Sequence, residues 1–454
     1  MICGQDCDVA EFPYVEVLFW FCGLDILHSR VSLALENREY IAALKEHHVC
    51  GARFVSAARH LNGPEAGSVH ETLAPAGMKD CAANVLPQLE ALPWGPPSSQ
   101  PCLLALIVLD AFDLAGADYP VELIRRCVAP MYPGARISLV LRFIADTDAC
   151  WVPEQVLRLF DHFWVPSAHS AAALPPDLAP RIALIPEVCR APACLPPQPP
   201  RRAEPFVFLA VMNDYGLDDR LHPEQPGPLR WNAARKNLAG LLEAFCSEFL
   251  LKAGGAHGEV ELLVKSTRPG LQEDVDRFLA GLCADRSSSV GSGSRVRVVD
   301  AWLPDIGAFL RRGHCLVAPS RGEGWCRPLA EALLAGVPAV GSSFGGQREF
   351  LSSATGYLVS AALVECPFTL GRSWDGRGRW GEVDLGELQR ILRHVVTHYD
   401  EALSRARVGQ QLVAQRCSPR SVAEAIRDTL IRPTAGRLLA DCVGLPVETF
   451  EIVD

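Results

Sequence analysis

The feature that most constrains this chain is an alternation. Apolar runs too short for helices are separated by stretches with helical spacing. In the first half the strand candidates are Val15–Phe21, Leu103–Leu109, Ile137–Phe143, His162–Val165 and Ile182–Ile185. Each is rich in Val, Ile, Leu or aromatic residues, which suit a pleated, buried surface. Ser32–Lys45 and Pro153–Phe160 read as helices between them. Strands alternating with helices predict a parallel sheet covered on both faces. Cys194–Glu204, reading CLPPQPPRRAE, then interrupts the pattern, because so many prolines continue neither a helix nor a central strand. After it the alternation restarts. Phe206–Val211, Glu261–Val264, Arg295–Val299 and Cys315–Ala318 are strands. Asn237–Phe249 is a helix with Leu238, Leu241, Leu242, Phe245 and Phe249 on one stripe. The polar stretches Asp214–Leu229 and Arg286–Ser294 read as loops, and the chain is helical from Asp384 to about Arg432. At 454 residues one core is too small, so two domains are expected. They are an N-terminal domain over 1–195 and a C-terminal domain over 205–415, followed by a helix and tail over 416–454.

Charge and cysteine usage exclude several classes. The net charge of -10 disfavours a chain-wide nucleic-acid footprint, which needs a basic face. The 17 cysteines are odd in number and irregular in spacing, so they read as small buried hydrophobes in a reducing compartment. Asp6, Asp8 and Glu11 precede the first apolar run, where a signal peptide carries Lys or Arg. No stretch is long and uncharged enough to span a bilayer; the run from Cys102 to Leu109 is stopped by Asp110. A soluble, cytoplasmic protein is expected, with peripheral membrane contact left open.

The segment Cys315–Phe350 carries the densest pattern, CLVAPSRGEGWCRPLAEALLAGVPAVGSSFGGQREF. It reads as a strand, then the tight loop Pro319–Trp325 containing Gly322 and Gly324, then a short helix. Pro328 suits the first helical turn, where its missing N–H costs nothing. Gly336 fits a left-handed cap, and Pro338 forbids resumption before the short strand Ala339-Val340. Such a helix N-terminus lies at the C-terminal edge of the sheet, where open α/β sheets take ligands and where free N–H groups favour a phosphate. Two carboxylates, Glu323 in the loop and Glu331 in the helix, are costly beside an anion unless they have other work, such as accepting hydrogen bonds from sugar hydroxyls. The alternative makes Glu323 a turn residue and Glu331 an acid favoured by the helix dipole. Physics alone leaves these nearly even.

The segment resembles the donor-site signature of family 4 glycosyltransferases: Pro-Ser-Arg-Gly-Glu-Gly-Trp, then Pro328, then Glu-Ala, then Gly-x-Pro. Glu323 and Glu331 have seven residues between them, as in that family's paired-glutamate motif. The resemblance implies that Glu323 touches the donor sugar hydroxyls and Glu331 the ribose. Cys326 stands where close relatives usually carry Gly. Upstream, LRWNAARKNLAGLLEAF resembles the family's basic pair for the donor diphosphate. Arg230 and Lys236 have the expected five residues between them, although the insertion before Arg230 leaves open whether Arg230 or Arg235 is the partner of Lys236. Cations held at a leaving diphosphate stabilise the charge that develops there. Lys265, ending the strand in LLVKST, resembles a further donor position. In the first half, RFIADTD at Arg142–Asp148, FDHFWVPS at Phe160–Ser167 and Ile185-Pro186-Glu187 resemble the acceptor domain of the same family. The loop before the first helix is richer in small residues in relatives, whereas only Gly23 and Ser29 are small here. RWGEVD at Arg379–Asp384 is close to the Trp-Ala-Glu-Pro-Asp of relatives.

The resemblance implies the GT-B fold, two Rossmann-like α/β/α domains facing across a cleft. It implies a retaining, metal-independent transfer from a nucleotide diphosphate sugar to a glycan, lipid or protein acceptor, with no cofactor. Glu323, Lys236 and Arg230 are the expected catalytic groups. Glu331, Lys265, Gly322, Gly324, Trp325 and Pro328 are the expected donor-binding residues. Gly23, His28, Asp110 and Asp146 are candidates for the acceptor side, each also readable as a capping or surface residue. The Asp-x-Asp pairs 6/8, 146/148 and 274/276 are read as surface or structural rather than as metal ligands, and His394 with His398 as surface residues. A sugar-nucleotide epimerase or phosphorylase of the same fold, or a non-enzymatic interaction protein built on it, are the alternatives.

Overall fold

The structure is a computed structural model that describes residues 15–21, 39–40, 42–44, 46–47, 51–56, 104–110, 136–190, 204–212, 235–250, 260–266, 270–285, 295–299, 306–366 and 378–431. It holds two parallel sheets of six strands each. The first is made of β1 (Val15–Phe21), β2 (Gly51–Ser56), β3 (Leu104–Asp110), β4 (Arg136–Arg142), β5 (His162–Val165) and β6 (Ile182–Leu184), in the order β2-β1-β3-β4-β5-β6. Two short helices, α1 (Glu154–Leu157) and α2 (Ala168–Ala172), fall between its later strands. The helix expected over Pro153–Phe160 is therefore a single turn, because Asp161 N–H must already bond the Leu139 carbonyl to start β5. The helix expected over Ser32–Lys45 lies mostly outside the described residues, as do both polar stretches and the proline-rich linker.

The second sheet contains β7 (Phe206–Val211), β8 (Val260–Lys265), β9 (Val296–Val299), β10 (Cys315–Ala318), β11 (Ala339–Ser342) and β12 (Tyr357–Val359), in the order β12-β11-β10-β7-β8-β9. Every adjacent pair is parallel. Counted from β7, this is the doubly wound order in which the chain moves outward one way, returns, and moves outward the other way. The return falls between β7 and β10, and that is where such sheets open a crevice at their C-terminal edge. β7 and β10 are buried along almost their whole length, as expected for strands covered on both faces.

The covering helices fall into two sets. On one face Phe208, Val264 and Val317 pack with Leu241 and Phe245 of α3 (Leu238–Phe249), Val275 of α4 (Leu271–Asp285), and Leu388, Leu392 and Val395 of α7 (Leu385–Thr397). On the other, Leu209, Leu263 and Leu316 pack with Phe309 of α5 (Ile306–Leu310), Leu329 and Leu333 of α6 (Arg327–Leu334), and Ala406 and Val413 of α8 (Tyr399–Cys417). α9 (Pro419–Ile431) follows α8 directly. An antiparallel pair, β13 (Ala361–Glu365) and β14 (Arg379–Val383), stands apart from both sheets. RWGEVD is therefore mostly strand. His394 lies in α7 but His398 falls between α7 and α8, and their rings stack at 4.3 Å.

Candidate functional site

The loop after β10, residues 319–326, leaves the C-terminal edge of the sheet beside the crevice and feeds α6. Cys326, just ahead of α6, adopts a left-handed backbone with φ of 69°. That conformation is the reason a glycine suits the position. Pro328 lies in the first turn of α6. Gly336 ends the helix with φ of 75°, while Gly336 N–H bonds the Leu333 carbonyl and Val337 N–H the Ala332 carbonyl, each at 2.8 Å. This double bond pattern closes the helix end as the glycine predicts.

The two loop glycines are required by close approach. A Cβ on Gly322 would stand 1.9 Å from the Asp146 carbonyl oxygen, and one on Gly324 2.0 Å from Ile144 Cγ2. The loop of the second sheet is thus pressed against residues 144–146, just beyond β4 of the first. Ser167, which caps α2, donates to the Gly324 carbonyl at 2.9 Å. Gly346, after β11, donates to the Glu323 carbonyl at 2.6 Å, and a Cβ there would meet the Gly324 carbonyl at 1.8 Å. The Gly345-Gly346 pair belongs to this site although the sequence reading did not single it out. Its signal was two adjacent glycines shortly after a strand, with Ser343 and Phe344 between.

Glu323 is the hub of the charges. Lys236 Nζ donates to its Oε1 at 2.5 Å and Arg235 Nη1 to its Oε2 at 3.1 Å. Burial alone would raise the carboxyl, but Lys236 and Arg235 outweigh it and hold Glu323 down to about 2. At neutral pH it is a carboxylate, able only to accept. Arg235 Nη1 also donates to the Gly322 carbonyl at 2.8 Å and to Asp146 Oδ1 at 3.3 Å. Asp146 in turn accepts from the Gly324 N–H at 3.1 Å. Burial raises its carboxyl above the ordinary range, with Glu323 adding to the effect and Arg235 and Lys236 opposing it.

Arg235 and Lys236 reach the loop because they immediately precede Asn237, whose left-handed backbone (φ 55°) turns the chain into α3. Asn237 is fully buried and donates to the Pro319 carbonyl at 3.1 Å. Its side chain is also why residue 240 is glycine, since a Cβ there would meet Asn237 Oδ1 at 2.5 Å. Of the two arginines offered as the partner of Lys236, Arg235 stands at Glu323, and Arg230 lies outside the described residues.

The other expected residues are placed as follows. Lys265 ends β8 opposite Val211, at the same edge of the sheet and one strand from the crevice. Glu331 lies in α6 beyond Pro328. Trp325 is buried edge-on against Phe350, ring centroids 5.1 Å apart, and its indole N–H has no partner among the described residues. Asp110 ends β3 in register with Arg142, at the C-terminal edge of the first sheet. Gly23 and His28 lie outside the described residues. Asp146, offered for the acceptor side, is bonded to Arg235 and to the Gly324 N–H of the loop of the second sheet. Asp148 pairs with Arg379, so the 146/148 carboxylates are both engaged by arginines. Among the described residues no cluster of three or more His, Cys, Asp or Glu is placed to hold a metal ion. Among the described residues no disulfide is formed, and Cys189, Cys246, Cys315, Cys326, Cys366 and Cys417 are buried.

Comparison with known proteins follows this geometry. No curated protein sequence matches the chain. Residues 227–366 match the family model described as "Glycosyl transferases group 1". Solved structures match over nearly the whole chain at low identity. Anabaena HepE in complex with UDP-glucose is 15% identical, covers 92% of this chain and 99% of its own, and superposes with a TM-score of 0.51. Sucrose-phosphate synthase from Thermosynechococcus elongatus is 14% identical, with coverages of 92% and 98% and a TM-score of 0.53. A glycosyltransferase from Rickettsia africae is 10% identical, with coverages of 93% and 99% and a TM-score of 0.55. The chain has the GT-B fold, and the segment that builds the site, from Arg235 through α6, falls within the match to group 1 glycosyl transferases.

Proposed function

We propose that the protein is a glycosyltransferase that moves a sugar from a nucleotide diphosphate sugar to an acceptor, with retention at the anomeric carbon and without a metal. The observation that carries this reading is the convergence of Arg235 and Lys236 on Glu323, in a glycine loop at the C-terminal edge of the second sheet. Two cations side by side suit a diphosphate. They hold it in the ground state and stabilise the charge it gains as the glycosidic bond breaks. Glu323, ionised and accept-only, suits the hydroxyls of the transferred sugar. Glu331 is assigned to the ribose and Lys265 to the donor's outer edge. Arg230 is the remaining candidate for a third cation. The leaving phosphate itself takes the acceptor's proton in a front-face attack. HepE was solved with UDP-glucose, which supports a nucleotide sugar as the class of donor. The acceptor is a glycan, lipid or protein, and the compartment is the cytoplasm; no helix among the described residues is long and apolar enough to cross a membrane.

A thermal-shift panel of UDP, GDP and ADP, each alone and with its common sugars, tests the reading. A ligand at roughly 100 times its dissociation constant adds about 2.7 kcal/mol. One base should raise the melting temperature clearly and the others should not. Melting unmoved by every nucleotide and nucleotide sugar would reject a donor site and favour an interaction protein built on this fold.

A further inference from the structure

β14 has no place in either sheet, yet it is bonded to the loop that carries Glu323. Arg321, two residues before Glu323, pairs with Glu382 of β14 through both prongs, Nε to one carboxylate oxygen and Nη2 to the other, the latter at 3.0 Å. Its guanidinium carbon also lies 5.6 Å from the centroid of the Trp380 ring. The backbone repeats the connection. Gly381 N–H donates to the Arg321 carbonyl, and Arg321 N–H to the Arg235 carbonyl, each at 2.7 Å. A Cβ on Gly381 would meet Phe344 at 2.6 Å, so β14 sits this close only with glycine there. Arg321 is therefore tied on one side to β14 and on the other to the segment that supplies both cations. Single exposed ion pairs contribute little, but two-pronged arginine–carboxylate pairs hold orientation as well as charge. Glu382 is 40% exposed and Arg321 only 13%, so the pair is anchored on its buried side.

We propose that Glu382 is a positioning residue for the donor: by holding Arg321 it sets where the Glu323 loop lies and where Arg235 reaches. This rests on the donor-site reading above. Glu382 touches neither Glu323 nor Lys236 in any described bond, so its effect passes through Arg321. β14 has a second attachment that makes a control. Arg379 pairs with Asp148, and Asp148 N–H bonds the Arg379 carbonyl at 3.0 Å, joining the hairpin to the first domain without passing through Arg321.

The test is calorimetric titration of the full chain with UDP, GDP, ADP and inorganic pyrophosphate, comparing wild type with Glu382→Ala, Glu382→Asp and Arg379→Ala. Glu382→Ala should weaken the nucleotide that wild type binds best, and pyrophosphate, by about three- to tenfold, less than the loss of a direct charge-assisted contact because Glu382 acts through Arg321. Glu382→Asp should recover part of the loss. Arg379→Ala should lower the melting temperature yet leave both affinities within about twofold of wild type. Should Glu382→Ala fail to fold, Glu382→Gln, which keeps one accepting oxygen, carries the same expectation at a smaller loss. Affinities within twofold for Glu382→Ala, or an equal loss for Arg379→Ala, would overturn the proposal, since the hairpin would then act only as general support. Wild type binding none of the four probes would instead defeat the donor-site reading itself.

Discussion

At the scale of single residues, the two glutamates of the motif stand in different surroundings. Glu323 is buried and paired to two cations, whereas Glu331 lies on α6 and is half-buried. Glu331→Gln should then weaken a free nucleoside diphosphate as much as the intact nucleotide sugar. Glu323→Gln should weaken the nucleotide sugar more than the free diphosphate. Titration of both variants with both ligands measures this, and equal losses throughout would reject the division of labour. Glu323 also carries a pH signature. Its folded value of about 2 is below the ordinary 4.5, so its pairing stabilises the protein above about pH 4.5 and is lost as pH falls towards 2. Wild type should lose unfolding free energy across that window more steeply than Glu323→Gln, as denaturant titrations at several pH values would record. The charges themselves were legible in the sequence, because Lys236 and the paired glutamates keep a family spacing. The role of Asp146 was not. Its bonds to Arg235 and Gly324 join residues 89 and 178 positions apart, and no local pattern encodes such a meeting.

At the scale of elements, glycines separate positions of close approach from positions of mere tolerance. Gly322→Ala places a methyl 1.9 Å from a backbone oxygen of the other domain, which has no flexible end to move aside. It should destabilise by about 1–3 kcal/mol, the usual range for overpacking, and disturb the seam between domains. Gly281→Ala, in α4 with nothing within 4 Å, should stabilise by about 0.4–1 kcal/mol by restricting the unfolded chain. Urea unfolding of both variants gives opposite signs if the close approach is real. The same logic explains which elements were readable. β7 and β10 are continuous apolar runs because both faces are buried, and β5 follows from a run of aromatic and branched residues. β13 was missed because most of it faces solvent, with Leu363 and Val364 exposed, and β12 because it is three residues long. The α6 cap was legible because Gly336 and Pro338 mark its end unambiguously.

At the scale of the whole molecule, the two sheets meet through a short list of directed contacts. Residues 144–148 press on the Glu323 loop and on β14, Ser167 holds Gly324, Glu187 pairs with Arg327 at 2.9 Å, and Glu349 accepts from Ala168 N–H at 2.7 Å. Cys189 N–H bonds the Cys417 carbonyl at 2.8 Å, which joins the end of the first domain to the end of α8. Much of this seam converges on the loop that the proposed donor would touch, so donor binding and domain placement share the same residues. The fold class was legible from alternation alone, whereas the seam depends on side chains brought together only after both sheets have formed. The central claim is that Lys236, with Arg235, holds a donor diphosphate. Calorimetric titration of wild type and Lys236→Ala with the nucleoside diphosphate selected by the thermal-shift panel tests it most directly. Loss of one charge-assisted contact of about 1.5–3 kcal/mol predicts at least a tenfold weaker affinity at an unchanged fold. An affinity equal to that of wild type would contradict the account.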